Sequence, residues 1–87
     1  MLRTRYIDPL QSVAGGAAIL NTVQHYLSND GRVDETADAL GIHVNTVRHR
    51  LKRFEEMTGR PLTNSEVAVE LWLALEADRL LNDNTRA

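Results

Sequence analysis

The residues best suited to chemistry on a partner lie between His43 and Phe54. Arg48, Arg50, Lys52 and Arg53 fall there with no acid among them, a charge of +4 within twelve positions. Residues 1–42 hold three Arg against five acids and residues 55–87 three Arg against seven, so the chain as a whole carries −2. A basic cluster in an otherwise acidic chain is the footprint of one polyanion-binding face, with the other faces unsuited to the same partner. At 100° per residue Asn45, Arg48, His49 and Lys52 share one side of a helix with Arg53 beside them, opposite Val47, Leu51 and Phe54. Arg hydrogen-bonds a guanine edge bidentately and Asn an adenine edge, while Lys and Arg neutralise phosphates. The pattern therefore assigns Asn45, Arg48 and His49 to base edges and Thr46, Arg50, Lys52 and Arg53 to phosphates. Thr46 joins the second group because N–H groups at a helix start also attract anions. The plain alternative is a solvated cationic face with no ligand.

Other chemistries find no support. The chain has no cysteine, which excludes disulfides, thiolate metal sites and thiol nucleophiles. His43 and His49 stand six apart, whereas two ligands on one helical face want a spacing of four. Glu55-Glu56 and Glu66/Glu70 read as solvated helix acids, and Gly15-Gly16 as a linker signal, since no Gly-rich phosphate loop surrounds it. No catalytic residue, metal ligand or cofactor is expected.

The elements that must position the basic face follow from periodicity. Eighty-seven residues, 43% apolar and 25% charged, suit one small globular domain. The longest apolar stretch, Val67 to Leu75, is broken by Glu70, and no apolar signal segment opens the chain, so a cytoplasmic protein without a membrane span is expected. Residues 1–16, with Asp8-Pro9 and Gly15-Gly16, read as an N-terminal arm or linker with a short helical turn around Leu10. A first amphipathic helix over 17–28 carries Ile19, Leu20, Val23, Tyr26 and Leu27 on one side and ends at Asn29-Asp30-Gly31. A short second helix covers 34–40, with acids at its positive end, and Gly41 stops it. A third runs over 44–58 and closes at Gly59 ahead of Pro61. The last begins at Thr63-Asn64-Ser65-Glu66, a capping-box pattern with Thr63 as the cap, and reaches about Leu81. The expected architecture is all-α: a four-helix helix-turn-helix domain over 17–82 with an N-terminal arm and a frayed tail at 83–87.

Val33 to Arg53 carries the central motif: two helices joined by three residues beginning with Gly, the geometry that presents a second helix to the major groove of double-stranded DNA. Ala37 is small where the helices cross, and Leu40, Ile42, Val47 and Leu51 form the seam between them. His43 occupies the N-cap of the second helix. The run YLSNDGRVDETADALGIHVNTVRHRLKRFEEMTG, Tyr26 to Gly59, resembles the C-terminal helix-turn-helix domain of PucR-type transcriptional regulators, a group that includes CdaR-like regulators. RYIDPL and PLTNSEVAVELWLALEADRL extend the resemblance over most of the chain. It implies a Fis-like helix-turn-helix, the DNA-binding end of a longer bacterial regulator, with an upstream sensor domain absent from this chain as a further partner. Val44 stands where the family commonly has Arg, and His49 where Tyr is frequent, so relatives' base preferences do not transfer.

In the last helix Val67, Leu71, Trp72, Ala74 and Leu75 form a core face, yet Val69, Leu73 and Leu80 make a second apolar stripe about 160° away. Two coverings fit: the matching stripe of a second copy in a homodimer, or the arm through Tyr6, Ile7, Leu10 or Val13. That stripe also supports a rival function, a helical protein–protein interaction module that never touches DNA.

Overall fold

The structure, a computed structural model, describes residues 6–11 and 13–85, with side chains through Leu81. Residues 1–5 and Ser12 of the expected arm, and 86–87 of the expected tail, lie outside the described residues. Five helices occur among the described residues: α1 (Asp8–Gln11), α2 (Gly16–Ser28), α3 (Val33–Leu40), α4 (Val44–Thr58) and α5 (Ser65–Thr85). No described residue lies in a strand, so the fold is all-α as the periodicity requires. The four long helices match the four expected, and α1 is the turn around Leu10.

α2 buries Ile19, Thr22 and Val23, with Leu20, Tyr26 and Leu27 packed half-buried against the same core. Asn29 closes it, the side-chain amide donating to the His25 carbonyl at 2.7 Å. α3 has Asp34 and Glu35 in its first turn, where carboxylates suit the helix dipole. Its inner face is small: Ala37 is buried, and the fully buried Thr36 donates its hydroxyl to the Arg32 carbonyl at 2.6 Å.

The α3–α4 turn is built by Gly41, whose φ of 67° is the left-handed conformation a side chain disfavours. Ile42 N–H donates to the Ala37 carbonyl at 3.1 Å and Gly41 N–H to Asp38 at 3.3 Å, so two orphan carbonyls of α3 are satisfied within the turn. α4 then buries Val47, Leu51 and Phe54 against α2 and α3. After Gly59 the loop is held by Glu55, whose carboxylate accepts the Leu62 N–H at 2.6 Å.

Two local expectations for α5 are corrected. The cap is Asn64, whose Oδ1 accepts from Glu66 N–H (2.9 Å) and Val67 N–H (3.3 Å); the helix opens at Ser65, one residue too late for Thr63 to cap it. Val67, Leu71, Ala74 and Leu75 form the inner face, but Trp72 is 39% exposed, because it lies 100° round the helix from Leu71, beyond the face that α2 covers. The helix continues to Thr85, past the expected end near Leu81.

The segment read as an arm enters the core. Tyr6, Ile7 and Leu10 are at most 1% exposed. The Tyr6 ring stacks on Phe54 with centroids 6.3 Å apart and planes 11° apart, and its hydroxyl donates to the Glu70 carboxylate at 2.9 Å. Gly15-Gly16 is a tight joint: a Cβ on Gly16 would run into the Leu10 carbonyl. The arm therefore covers α4 and α2 and leaves the second stripe of α5 bare, with Val69 59%, Leu73 55% and Leu80 53% exposed.

Candidate nucleic-acid interface

α4 is positioned from both ends. At its start His43 is the cap, its Nδ1 accepting the Asn45 N–H at 3.0 Å while its carbonyl accepts from Thr46 (3.0 Å) and Val47 (3.2 Å). Along its inner side Val47, Leu51 and Phe54 fix the rotation of the helix about its axis. That rotation leaves Asn45, Arg48, His49, Lys52 and Arg53 exposed together on the outward side, where the periodicity put them. Thr46 is half-buried beside them near the helix start.

The outward cations are electrostatically uncompensated. Among the described residues no carboxylate lies within ion-pair distance of Arg48, Lys52 or Arg53. Arg32 differs: it bonds Glu35 at 3.0 Å, and that hydrogen bond, followed by the charges of Glu35 and Asp30, holds its guanidinium above the ordinary range. Arg79 is likewise tied to Glu76 at 3.1 Å. Within the face Arg48 Nη1 donates to Asn45 Oδ1 at 3.3 Å, joining two side chains one turn apart.

Arg50 stands away from the other assigned residues. It is half-buried and donates through Nη1 to Thr22 Oγ1 of α2 at 3.2 Å, while Thr22 donates to the Ala18 carbonyl at 2.8 Å. Its position, three residues after Val47 and four before Phe54, borders the core stripe, which is the signal that separates it from Arg48 and Arg53. Thr22 was not singled out by the sequence reading, although its place three residues after Ile19 sets it on the buried side of α2. Glu55, read as a solvated acid, is a loop anchor instead. No group of three or more potential metal ligands comes together among the described residues. No described helix is long and apolar enough to cross a membrane.

Residues 19–77 match the PucR C-terminal helix-turn-helix domain. The chain belongs to that family. It is 46% identical over 56 residues to the transcriptional activator PmfR of Paenarthrobacter nicotinovorans, an overlap covering 64% of this chain and 12% of that protein. To the purine catabolism regulatory protein of Bacillus subtilis it is 36% identical over 85 residues, covering 93% of this chain and 16% of the relative. The proline-responsive transcriptional activator PutR of Bacillus subtilis is 35% identical over 57 residues, 66% of this chain and 14% of that protein. The chain thus spans between 12% and 16% of the length of these relatives. No solved structure matches it. A PucR-type helix-turn-helix domain is a DNA-binding module of transcription regulators, and the uncompensated basic side of α4 is the part of this one with the chemistry for that partner.

Proposed function

We propose that this PucR-type domain binds double-stranded DNA sequence-specifically, with α4 in the major groove and no chemistry performed on the nucleic acid. The observation that carries the reading is that Arg48, Lys52 and Arg53 share an exposed face with Asn45 and His49 and have no carboxylate partner among the described residues. Asn45, Arg48 and His49 face base edges; Thr46, Lys52 and Arg53 anchor phosphates. Arg50 keeps one donor on Thr22 and offers its remaining donors to the backbone at the edge of the site.

The domain works as a homodimer on its operator. Val69, Leu73 and Leu80 are exposed on α5, and a groove of about 240 Å³ beside them is lined by Leu27, Ala68, Val69, Trp72 and Leu73. An apolar stripe of this kind on a small domain calls for a covering surface, and a second copy supplies one by symmetry. The body measures 35 × 28 × 26 Å, a size compatible with two copies reading half-sites about 34–36 Å apart. In a longer regulator an upstream sensor domain would govern this module, working in the cytoplasm, where the DNA is.

Fluorescence anisotropy of a labelled random duplex tests the reading. The chain is expected to bind it in a salt-sensitive manner, and Arg48→Ala to bind at least several-fold more weakly. A folded chain that binds no duplex at low salt would instead support the protein-interaction module, with the α5 stripe as its working surface.

A further inference from the structure

Arg50 is held by a group that does not neutralise it. Its Nη1 donates at 3.2 Å to the hydroxyl of Thr22 on α2, a neutral acceptor, and among the described residues no carboxylate lies within ion-pair distance of it. Arg32 and Arg79 are tied to glutamates instead. Arg50 is nonetheless half-buried, where an unpaired charge is costly until an anion completes it. Thr22 is fully buried and gives its single proton to the Ala18 carbonyl at 2.8 Å, so toward Arg50 the hydroxyl can only accept. One guanidinium N–H is thus fixed by the body of α2, and the others are left for a ligand. At 100° per residue Arg53, Thr46 and Arg50 follow one another round α4 within about 60°, past His49 on the side where Arg50 meets α2.

We propose that Thr22 is a positioning residue of the DNA site: it pins the Arg50 guanidinium so that the remaining N–H groups meet a phosphate of the strand that Thr46 and Arg53 follow along the α2 side of α4. The proposal rests on the DNA-binding reading above and deepens it by making α2 a part of the site. A planar fork held at one corner has little freedom left to lose when it closes on an oxyanion, and a flexible ammonium in its place does not reproduce that. Phosphates carry no sequence information, so Thr22 governs affinity and leaves base choice to the outward side of α4.

A double-mutant cycle on the binding of a labelled random duplex tests this, with circular dichroism showing that each chain is folded. Thr22→Val keeps the side-chain shape without the acceptor and is expected to bind about threefold or more weakly, whereas Thr22→Ser keeps the hydroxyl and should bind within about twofold of the wild type. In the Arg50→Ala chain, Thr22→Val is expected to cause no further loss. Arg50→Lys, which leaves the buried Thr22 in place, is expected to bind more weakly than the wild type in spite of its equal charge. A folded Thr22→Val chain that binds as the wild type does, a loss as large without Arg50 as with it, a Thr22→Ser chain as weak as Thr22→Val, or wild-type binding by Arg50→Lys would each overturn the role of Thr22 while DNA binding stands. A folded wild-type chain that binds no duplex at low salt would overturn the DNA-binding reading together with it.

Discussion

Arg50 and Arg53 stand three residues apart on α4 and have different tasks. Arg53 is exposed and without a carboxylate partner among the described residues, whereas Arg50 is half-buried and bonded to Thr22 of α2. Arg50→Ala is expected to lower stability in urea by about 1 kcal/mol, through loss of a charged donor from a part-buried bond. Arg53→Ala should leave stability within about 0.5 kcal/mol and reduce the salt dependence of duplex binding by roughly one counterion. Equal effects of the two substitutions on stability and on binding would contradict this division. The exposed members of the basic side were legible because 100° periodicity needs nothing but the helix itself. The partners of Tyr6 and Thr22 were not legible, since they are distant in the chain: Tyr6 bonds a residue 64 positions away and Thr22 one 28 positions away.

At the scale of elements, α4 was readable to its ends because glycines bracket it: Gly41 and Gly59, both at positive φ, leave the long basic run only one helical frame. α5 was less readable. Thr63 and Asn64 are adjacent capping residues, and only the helix start at Ser65 decides between them. Asn64→Ala is expected to cost about 1 kcal/mol in chemical denaturation and Thr63→Ala less than about 0.5 kcal/mol; the reverse order would move the cap back to Thr63. The arm was opaque for another reason. Asp8-Pro9 and Gly15-Gly16 are turn signals in any linker, but here Gly16 allows α2 to meet the Leu10 carbonyl, and Tyr6 sits on Phe54 of α4.

At the scale of the whole molecule, charge and apolar surface divide the work. Acids dominate outside residues 43–54, so on the proposed reading a duplex would be drawn to the α4 side and repelled elsewhere, and the bare stripe of α5 would be left for a second copy. Leu73→Glu is expected to shift the chain toward monomer in sedimentation velocity without unfolding it, since Leu73 is 55% exposed; an unchanged sedimentation coefficient would remove α5 as the seam. Salt dependence of duplex binding tests the central claim most directly. If each subunit neutralises about four phosphates, the logarithm of the binding constant should fall against the logarithm of salt concentration with a slope near −3.6 per bound subunit, shallower by about 0.9 in Lys52→Ala. A slope near zero, or one that Lys52→Ala leaves unchanged, would mean that the basic side of α4 does not meet the DNA backbone.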